Sequence, residues 1–409
     1  MSMESIFLNN LADIVSGYAI PSKDMQEEGT PIIKITNIKE DGFLDLDNTA
    51  KYSKPISKKL EKYLLRDKDV LVCMTGATIG KIARKQIVNG DFLVNQRVAI
   101  IRAKKPKLQD FIYYALSLPS FRKYTEVVGY GAAQPNISSS SIGKYNFLSV
   151  SNERVQHRIA SILSTYDSLI ENNTKRISLL EKMAENLYKE WFVRFRFPGH
   201  ENVEMENGLP KGWKYYRIED LCDINRETIK IANAPKDILY LDTGSVTRGK
   251  ISDVESLTFA DAPSRARRIV RNDSIIYSTV RPNLQHYGIL KNPPSNLLVS
   301  TGFAVLDCKE EIANIVYLAL SHPSVYRYCS LIADCAVATY PSIKPKEIGR
   351  IYIALPKMSV CKRWNEKIES YYKMINKLQQ QNSLLARQRD LLLPRLMSGK
   401  LEVKKELLE

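Results

Sequence analysis

The chain has 409 residues, enough for two or three domains, and its 44% hydrophobic and 26% charged residues exclude wholesale disorder. Lys and Arg number 60 against 45 Asp and Glu, and the formal charge of +15 favours a polyanionic partner. No apolar run approaches the roughly 18 residues a membrane span needs, and the acidic, Lys- and Arg-free start (Glu4, Asp13) does not read as a secretory signal.

In chain order, the first elements are short apolar or alternating runs broken by Gly, Asn, Asp and Pro, and they read as strands: PIIKITNI (31–38), DVLVCM (69–74) and VNQRVAIIRA (94–103). FIYYALS (111–117), before a Pro, reads as a short helix. A long helix follows, with apolar or seam residues at Val155, Ile159, Ile162, Tyr166, Leu169, Asn173, Ile177, Leu180, Ala184, Leu187 and Trp191. Those steps of three and four form a heptad with one stutter. The strands then return as DILYLDT (237–243), DSIIYST (273–279) and FAVLDC (303–308), followed by the helix IVYLALS (315–321). A second heptad helix carries Trp364, Ile368, Tyr371, Ile375, Leu378, Asn382, Leu385, Arg389 and Leu392, and Pro394 is expected to close it. Ser151 and Ser359 stand where N-caps would be.

The two halves are copies. YYALSLPSFRKY (113–124) and YLALSHPSVYRY (317–328) share 7 of 12 positions at an offset of 204. Asp69 and Thr75 meet Asp273 and Thr279 at the same offset; Pro135, Ile137 and IGK (142–144) meet Pro341, Ile343 and IGR (348–350) at 206; Thr36 and Gly42 meet Thr243 and Gly249 at 207. Two heptad helices in one chain point to an intramolecular coiled coil, with Asn173 and Asn382 fixing its register. The 6 cysteines form no CxxC pair and read as buried free thiols of a reducing cytoplasm. The 4 histidines lack metal-ligand spacing, so no metal site is expected.

Catalytic motifs fail on inspection. Asn292-Pro293-Pro294-Ser295 imitates an amino-methyltransferase motif but lacks the aromatic that would stack on a flipped base, and it reads as a proline-containing surface turn. Gly76-Ala77-Thr78-Ile79-Gly80-Lys81 is one residue short of a phosphate loop, and Ile82 stands where a Ser or Thr should follow. Recognition remains. Two unlike copies of one unit suit two unlike half-sites of DNA, read by Lys, Arg, Asn, Gln and Thr on loops. The candidates are Thr75, Thr78, Lys81, Arg84, Asn95, Gln96, Arg97 and Gln134 in the first copy. In the second they are Arg265, Arg267, Arg268, Arg281, Asn283, Gln285 and Tyr340. Two other readings stand beside this one: a DNA methyltransferase using Asn292-Pro293-Pro294-Ser295, and a coiled-coil scaffold without nucleic acid.

Three stretches carry a family resemblance: WFVRFRFPGH (191–200) after a helix ending in LYKE, LPKGW (209–213), and LLPRLMSGKLEV (392–403). With the repeat, they resemble the specificity subunit of type I restriction–modification enzymes. SIFLNNLADI (5–14) lacks an LPxGW opening, although Leu11 and Asp13 match Leu221 and Asp223. The resemblance implies an α+β protein with two similar mixed α/β target recognition domains, at 1–150 and 199–356. Two long antiparallel coiled-coil helices, at 151–198 and 357–409, would separate them in a pseudo-two-fold internal repeat. It implies a non-catalytic, cytoplasmic chain that binds double-stranded DNA and two modification subunits, with restriction subunits able to join. S-adenosylmethionine would be bound by the modification subunits, leaving no cofactor in this chain. Trp191, Phe192, Phe195 and Phe197 would then form an exposed partner-docking cluster, the other reading being packing at the helix–domain junction.

Overall fold

The computed structural model describes residues 3–39, 42, 44–46, 49–84, 90–130, 135–308, 312–336 and 341–403. The chain divides into two units, 1–173 with 381–409 and 174–380. The first opens with β1 (Met3–Phe7), α1 (Leu8–Leu11), β2 (Ala12–Ser16), β3 (Met25–Gln26), β4 (Thr30–Ile33), β5 (Ala50–Tyr52), β6 (Val70–Cys73), β7 (Ile82–Arg84), β8 (Leu93–Val94) and β9 (Val98–Ala103). Then come α2 (Gln109–Leu116), α3 (Pro119–Gly129), α4 (Ser139–Gly143), β10 (Asn146–Val150) and the long α5 (Glu153–Tyr188). One sheet runs β2-β9-β6-β7 and the other β3-β5-β4-β8, while β10 folds back on β1.

The central strands β6 and β9 are apolar at nearly every position because both their faces are covered. Val70, Val72, Ala99 and Ile101 face α2 through Phe111 and Ile112, whereas Leu71, Cys73, Val98 and Ile100 face the second sheet. The two-residue period of a strand makes that division. Gln109 fastens α2 to the sheet, its side chain accepting from the Ala103 amide at 2.6 Å and donating to the Ile101 carbonyl at 3.1 Å.

The second unit contributes β11 (Met205–Glu206), β12 (Leu209–Pro210), β13 (Lys214–Arg217), α6 (Ile218–Leu221), β14 (Cys222–Ile224), β15 (Asp237–Leu241), β16 (Val246–Thr247), β17 (Lys250–Ile251), β18 (Glu255–Thr258), β19 (Ala266–Ile269), β20 (Ile275–Ser278), β21 (Tyr287–Ile289), β22 (Leu297–Ser300) and β23 (Phe303–Cys308). It continues through α7 (Ala313–Leu320), α8 (Pro323–Ala336), α9 (Pro345–Gly349), β24 (Tyr352–Leu355) and the start of α10 (Met358–Met397). Its sheet β14-β23-β20-β21 repeats β2-β9-β6-β7, and β18-β15-β22-β19 shares with β3-β5-β4-β8 a parallel pair, β15–β22 matching β4–β8, flanked by an antiparallel strand, but takes its fourth strand at the other edge. The shortened opening keeps its strand: β1 pairs with β10 as β13 pairs with β24.

The helices α2 and α7 obey the offset of 204 read from sequence, but the central strands do not. Val70 pairs with Ile101 as Ile275 pairs with Leu306, an offset of 205. Lys68 and Asp273, both at φ 65°, take equivalent left-handed positions on that register. Asp69 therefore corresponds to Ser274, not Asp273, and Thr75 to Val280, not Thr279. The identical letters were a one-residue slip, which a strand does not tolerate because it would exchange its faces. The Gly42–Gly249 match holds. Both lie at positive φ, 81° and 79°, and a Cβ would fall 3.0 Å from the Tyr113 hydroxyl in one and 2.6 Å from that of Tyr317 in the other.

Cys222 and Cys308 are direct neighbours across β14–β23 and are joined as a disulfide, which corrects the expectation of 6 free thiols. The register that sets them face to face puts Ala12 opposite Ala103 in the first unit. Cys73, Cys329 and Cys361 are buried thiols outside this disulfide, and Cys335 is an exposed one.

The long helices differ from expectation at their ends. Asn152, not Ser151, caps α5: its Oδ1 accepts from the amides of Arg154 (2.9 Å) and Val155 (3.4 Å). Ser359 lies inside α10, which starts at Met358. Pro394 does not close α10; the helix continues to Met397, and Gly399, at φ 67°, follows. Burial of Leu393, Leu396 and Met397 in the first unit's core offsets the roughly 3 kcal/mol a helical proline costs.

The helices run antiparallel. In the first unit Asp167 meets Arg389 (2.6 Å) and Asn173 Nδ2 donates to Asn382 Oδ1 (3.0 Å). In the second, Ile177 packs with Ile375 and Leu378, and the Tyr188 ring lies 6.4 Å from that of Trp364. The seam is less regular than a strict heptad. Leu169 is 45% exposed, and Leu163, outside the heptad, is fully buried against the sheet-and-helix core.

Candidate nucleic-acid interface

In the first unit three chain segments meet at one end of the β2-β9-β6-β7 sheet. The Met74 amide donates to the Arg97 carbonyl (2.9 Å), the Ile137 amide to the Met74 carbonyl (2.9 Å), and the Gly76 amide to the Pro135 carbonyl (2.9 Å). The turn after β6 is a single 3-10 turn over Gly76–Thr78. Gly76 and Gly80 flank it at φ 73° and 76°, and a Cβ on Gly80 would lie 2.0 Å from Thr125 Oγ1. These glycines serve backbone geometry, not a phosphate. Between β8 and β9, Asn95 is buried and its Oδ1 accepts from the Arg97 amide (3.2 Å), leaving Gln96 and Arg97 exposed. A cleft of about 440 Å³ lies there, lined by Thr75, Gln96, Arg97, Asn136 and Ser138 among others.

The structure thus brings Thr75, Asn95, Gln96 and Arg97 together. Thr78 and Lys81 sit half-buried on the adjoining turn. Arg84 is placed elsewhere: it bonds Asp110 (3.0 Å) and Asp167 (3.4 Å) and stacks on the Tyr113 ring at 4.5 Å. There it joins α2 to α5. Gln134 lies outside the described residues, as does Tyr340.

The second unit builds the same end of its sheet. The Thr279 amide donates to the Gly302 carbonyl (2.9 Å), the Ile343 amide to the Thr279 carbonyl (2.8 Å), and the Arg281 amide to the Pro341 carbonyl (2.8 Å). Its 3-10 turn, Pro282–Leu284, is flanked by Arg281 at φ 47° and Gln285 at φ 56°. At the 205 offset these occupy the places of Gly76 and Gly80. A left-handed conformation costs a non-glycine residue about 1–3 kcal/mol and is held where surrounding structure enforces it. Arg281 and Asn283 are exposed. Arg248, which sequence reasoning did not single out, joins them: it lies at φ 48°, and its Nε donates to Gln285 Oε1 (2.8 Å). Its signal was faint, an Arg before the repeated glycine at 249.

The arginines of SRARRIVR separate. Arg265 is exposed; Arg267 stacks on the Phe259 ring at 4.9 Å; Arg268 Nη1 donates to Thr228 Oγ1 (3.3 Å). The register shifts between Ala266 and Arg268 where β19 meets β22, a bulge that leaves half-buried Arg267 as the extra residue. None of the three forms an ion pair among the described residues, and burial pulls the Arg268 guanidinium below its usual value. Arg271 is neutralised by Glu227 at 2.6 Å, with Asp307 at 3.7 Å.

The aromatic docking cluster is corrected. Trp191, Phe192 and Phe197 are 5–8% exposed and Phe195 is partly buried. Phe192, Phe195 and Phe197 surround the Trp213 ring at 5.3–5.7 Å, and Phe192 meets Trp364 at 5.2 Å. The LPKGW motif supplies Trp213 as the plug of this junction, and the rings pack inside the unit. Asn292-Pro293-Pro294-Ser295 is a surface turn before β22: Asn292 lies at φ 50° and the Leu297 amide donates to the Pro294 carbonyl (3.0 Å).

The fold is that of a type I S subunit. The crystal structure of a type I restriction–modification S subunit from M. genitalium superposes with a TM-score of 0.57 at 16% identity, covering 98% of this chain and 97% of that one. Residues 2–182 match the family described as a type I restriction modification DNA specificity domain. The MjaIX specificity subunit of Methanocaldococcus jannaschii is 24% identical over 358 residues, 82% of this chain and 78% of its own length. The putative MjaX specificity subunit of the same organism is 22% identical over 412 residues, covering 97% and 93%. The chain is thus similar, over most of its length, to specificity subunits of type I restriction–modification enzymes.

Proposed function

We propose that the protein is the DNA-reading, non-catalytic subunit of a type I restriction–modification complex, with each unit recognising one half of a bipartite double-stranded target. The observation that carries this is the duplication itself: one topology built twice, with matched backbone and different side chains on matched turns. A symmetric reader would repeat its side chains; this chain repeats only its scaffold. The specificity family partners with methyltransferase and restriction subunits and binds DNA. In our reading two modification subunits dock here and bring S-adenosylmethionine, while α5 and α10 set the spacer between half-sites. A cytoplasmic location accords with DNA as the substrate, and no described helix is long and apolar enough to cross a membrane.

The test uses the chain purified with its modification subunits. Binding to target duplex should weaken steeply with salt, because neutralised phosphates release counterions. Replacing residues 1–150 with the corresponding domain of another specificity subunit should change one half-site and leave the other. A change in both, or in neither, refutes the assignment.

A further inference from the structure

The matched sheet ends carry a regularity that neither the motifs nor the family assign. At each end two turns lie side by side, tied by one backbone hydrogen bond: Met74 to Arg97 in the first unit, Thr279 to Gly302 in the second, both 2.9 Å. In the first unit the turn after β6 is small, Gly76-Ala77-Thr78, and the neighbouring turn bears exposed Gln96 and Arg97. In the second the arrangement is exchanged. The turn after β20 bears exposed Arg281 and Asn283, and the neighbouring turn shrinks to Thr301-Gly302. Each end therefore presents one guanidinium and one carboxamide, from opposite turns of the same frame.

We propose that this end of each sheet is the base-reading site, with Gln96 and Arg97 determining one half-site and Arg281 and Asn283 the other. The proposal rests on the specificity-subunit reading and narrows it to four residues. Three observations support it. In the first unit the small turn beside the armed one leaves open space, the cleft beside Thr75. The second unit keeps non-glycine residues, Arg281 and Gln285, in left-handed conformations that glycine would adopt freely, so the side chains are retained against backbone preference. Arg248 donates to Gln285 and holds that turn from the side, a positioning residue. The chemistry commits to bases: an arginine suits the O6/N7 edge of guanine and a carboxamide the N6/N7 edge of adenine.

The experiment selects duplexes from a randomised library with the chain bound to its modification subunits, for wild type, Gln96→Ala, Arg97→Ala, Arg281→Gly and Asn283→Ala. Glycine at 281 removes the side chain while suiting the left-handed backbone, so folding is preserved. Wild type should return two defined half-sites. Each variant should lose about tenfold or more of its preference at one or two base pairs of one half-site, guanine for the arginines and adenine for the amides. The first two variants should alter one half-site and the last two the other. A uniform loss of affinity over all sequences, with the salt slope reduced by about one, would mark phosphate contacts and overturn the proposal. Unchanged preference in all four would do the same. Wild type returning no preference would instead refute the specificity-subunit reading.

Discussion

Asp167 ties three elements of the first unit, and its removal tests the register of the long helices. Its Oδ1 meets Arg389 Nη1 at 2.6 Å; its Oδ2 accepts from the Tyr114 hydroxyl at 2.5 Å and faces Arg84 Nη2 at 3.4 Å. The side chain is 14% exposed. Burial beside this carboxylate pushes the Tyr114 phenol well up, so it stays a donor at ordinary pH. An Asp167→Ala change removes three hydrogen bonds to a carboxylate, the one from Arg84 long, where such a bond is worth about 1.5–3 kcal/mol at good geometry. Neither cation is left alone, however: Arg84 retains Asp110 at 3.0 Å and Arg389 retains Asp390 at 2.8 Å. The cost should therefore fall below the roughly 3–5 kcal/mol of an abandoned buried charge, at about 2–3 kcal/mol. Urea unfolding of Asp167→Ala, Arg389→Ala and the double variant gives the coupling energy, expected at about 1 kcal/mol or more. A coupling within about 0.3 kcal/mol of zero would show that α5 and α10 do not meet in this register.

Other consequences follow from the same contacts. Replacing both Asn173 and Asn382 with Leu should raise the unfolding midpoint while loosening the choice of spacer length in DNA selection, since a polar seam pair fixes register at some cost in stability. Phe192→Ala should cost about 3–5 kcal/mol in urea unfolding, as a buried ring filling the Trp213–Trp364 junction, and should alter DNA preference at neither half-site. Burial raises the Glu181 carboxyl above its usual 4.5, so the folded state disfavours its charged form. Stability from this group is full below pH 4.5 and lost as pH rises through the folded value. Glu181→Gln should accordingly raise the melting temperature at pH 8, with the gain vanishing near pH 4; an equal gain at both would refute the burial argument.

The long helices were legible because a heptad repeats its message over many turns, and the helical pair at 113 and 317 because seven identities anchor it. The strands were legible as strands but misaligned by one residue. Asp69 and Asp273 share a letter while their backbones do not share a place, and only the hydrogen-bond register and the paired positive φ of Lys68 and Asp273 reveal it. Helix ends depended on particular caps: Asn152 outcompeted Ser151, and buried Leu396 and Met397 carried α10 past Pro394. At the candidate site the residue types were readable and their surroundings were not. Arg84 looks like a loop cation in sequence, yet two carboxylates hold it. Phe195 and Phe197 alternate with arginines as on an exposed strand, yet Trp213, many residues later, covers them.

The first unit is discontinuous: its core is completed by Leu393, Leu396, Met397 and Val403, which leave the ribosome only after the whole of 174–380. At about 5–20 residues per second the opening half waits on the order of ten seconds or more with part of its apolar interior uncovered. The inserted unit, contiguous in sequence, can condense meanwhile. Synthesis thus imposes an order in which the later-coded head closes before the earlier one. A nascent chain stalled after residue 380 has emerged but before residue 393 would hold a finished second half and an unsealed first, open to chaperones or proteases.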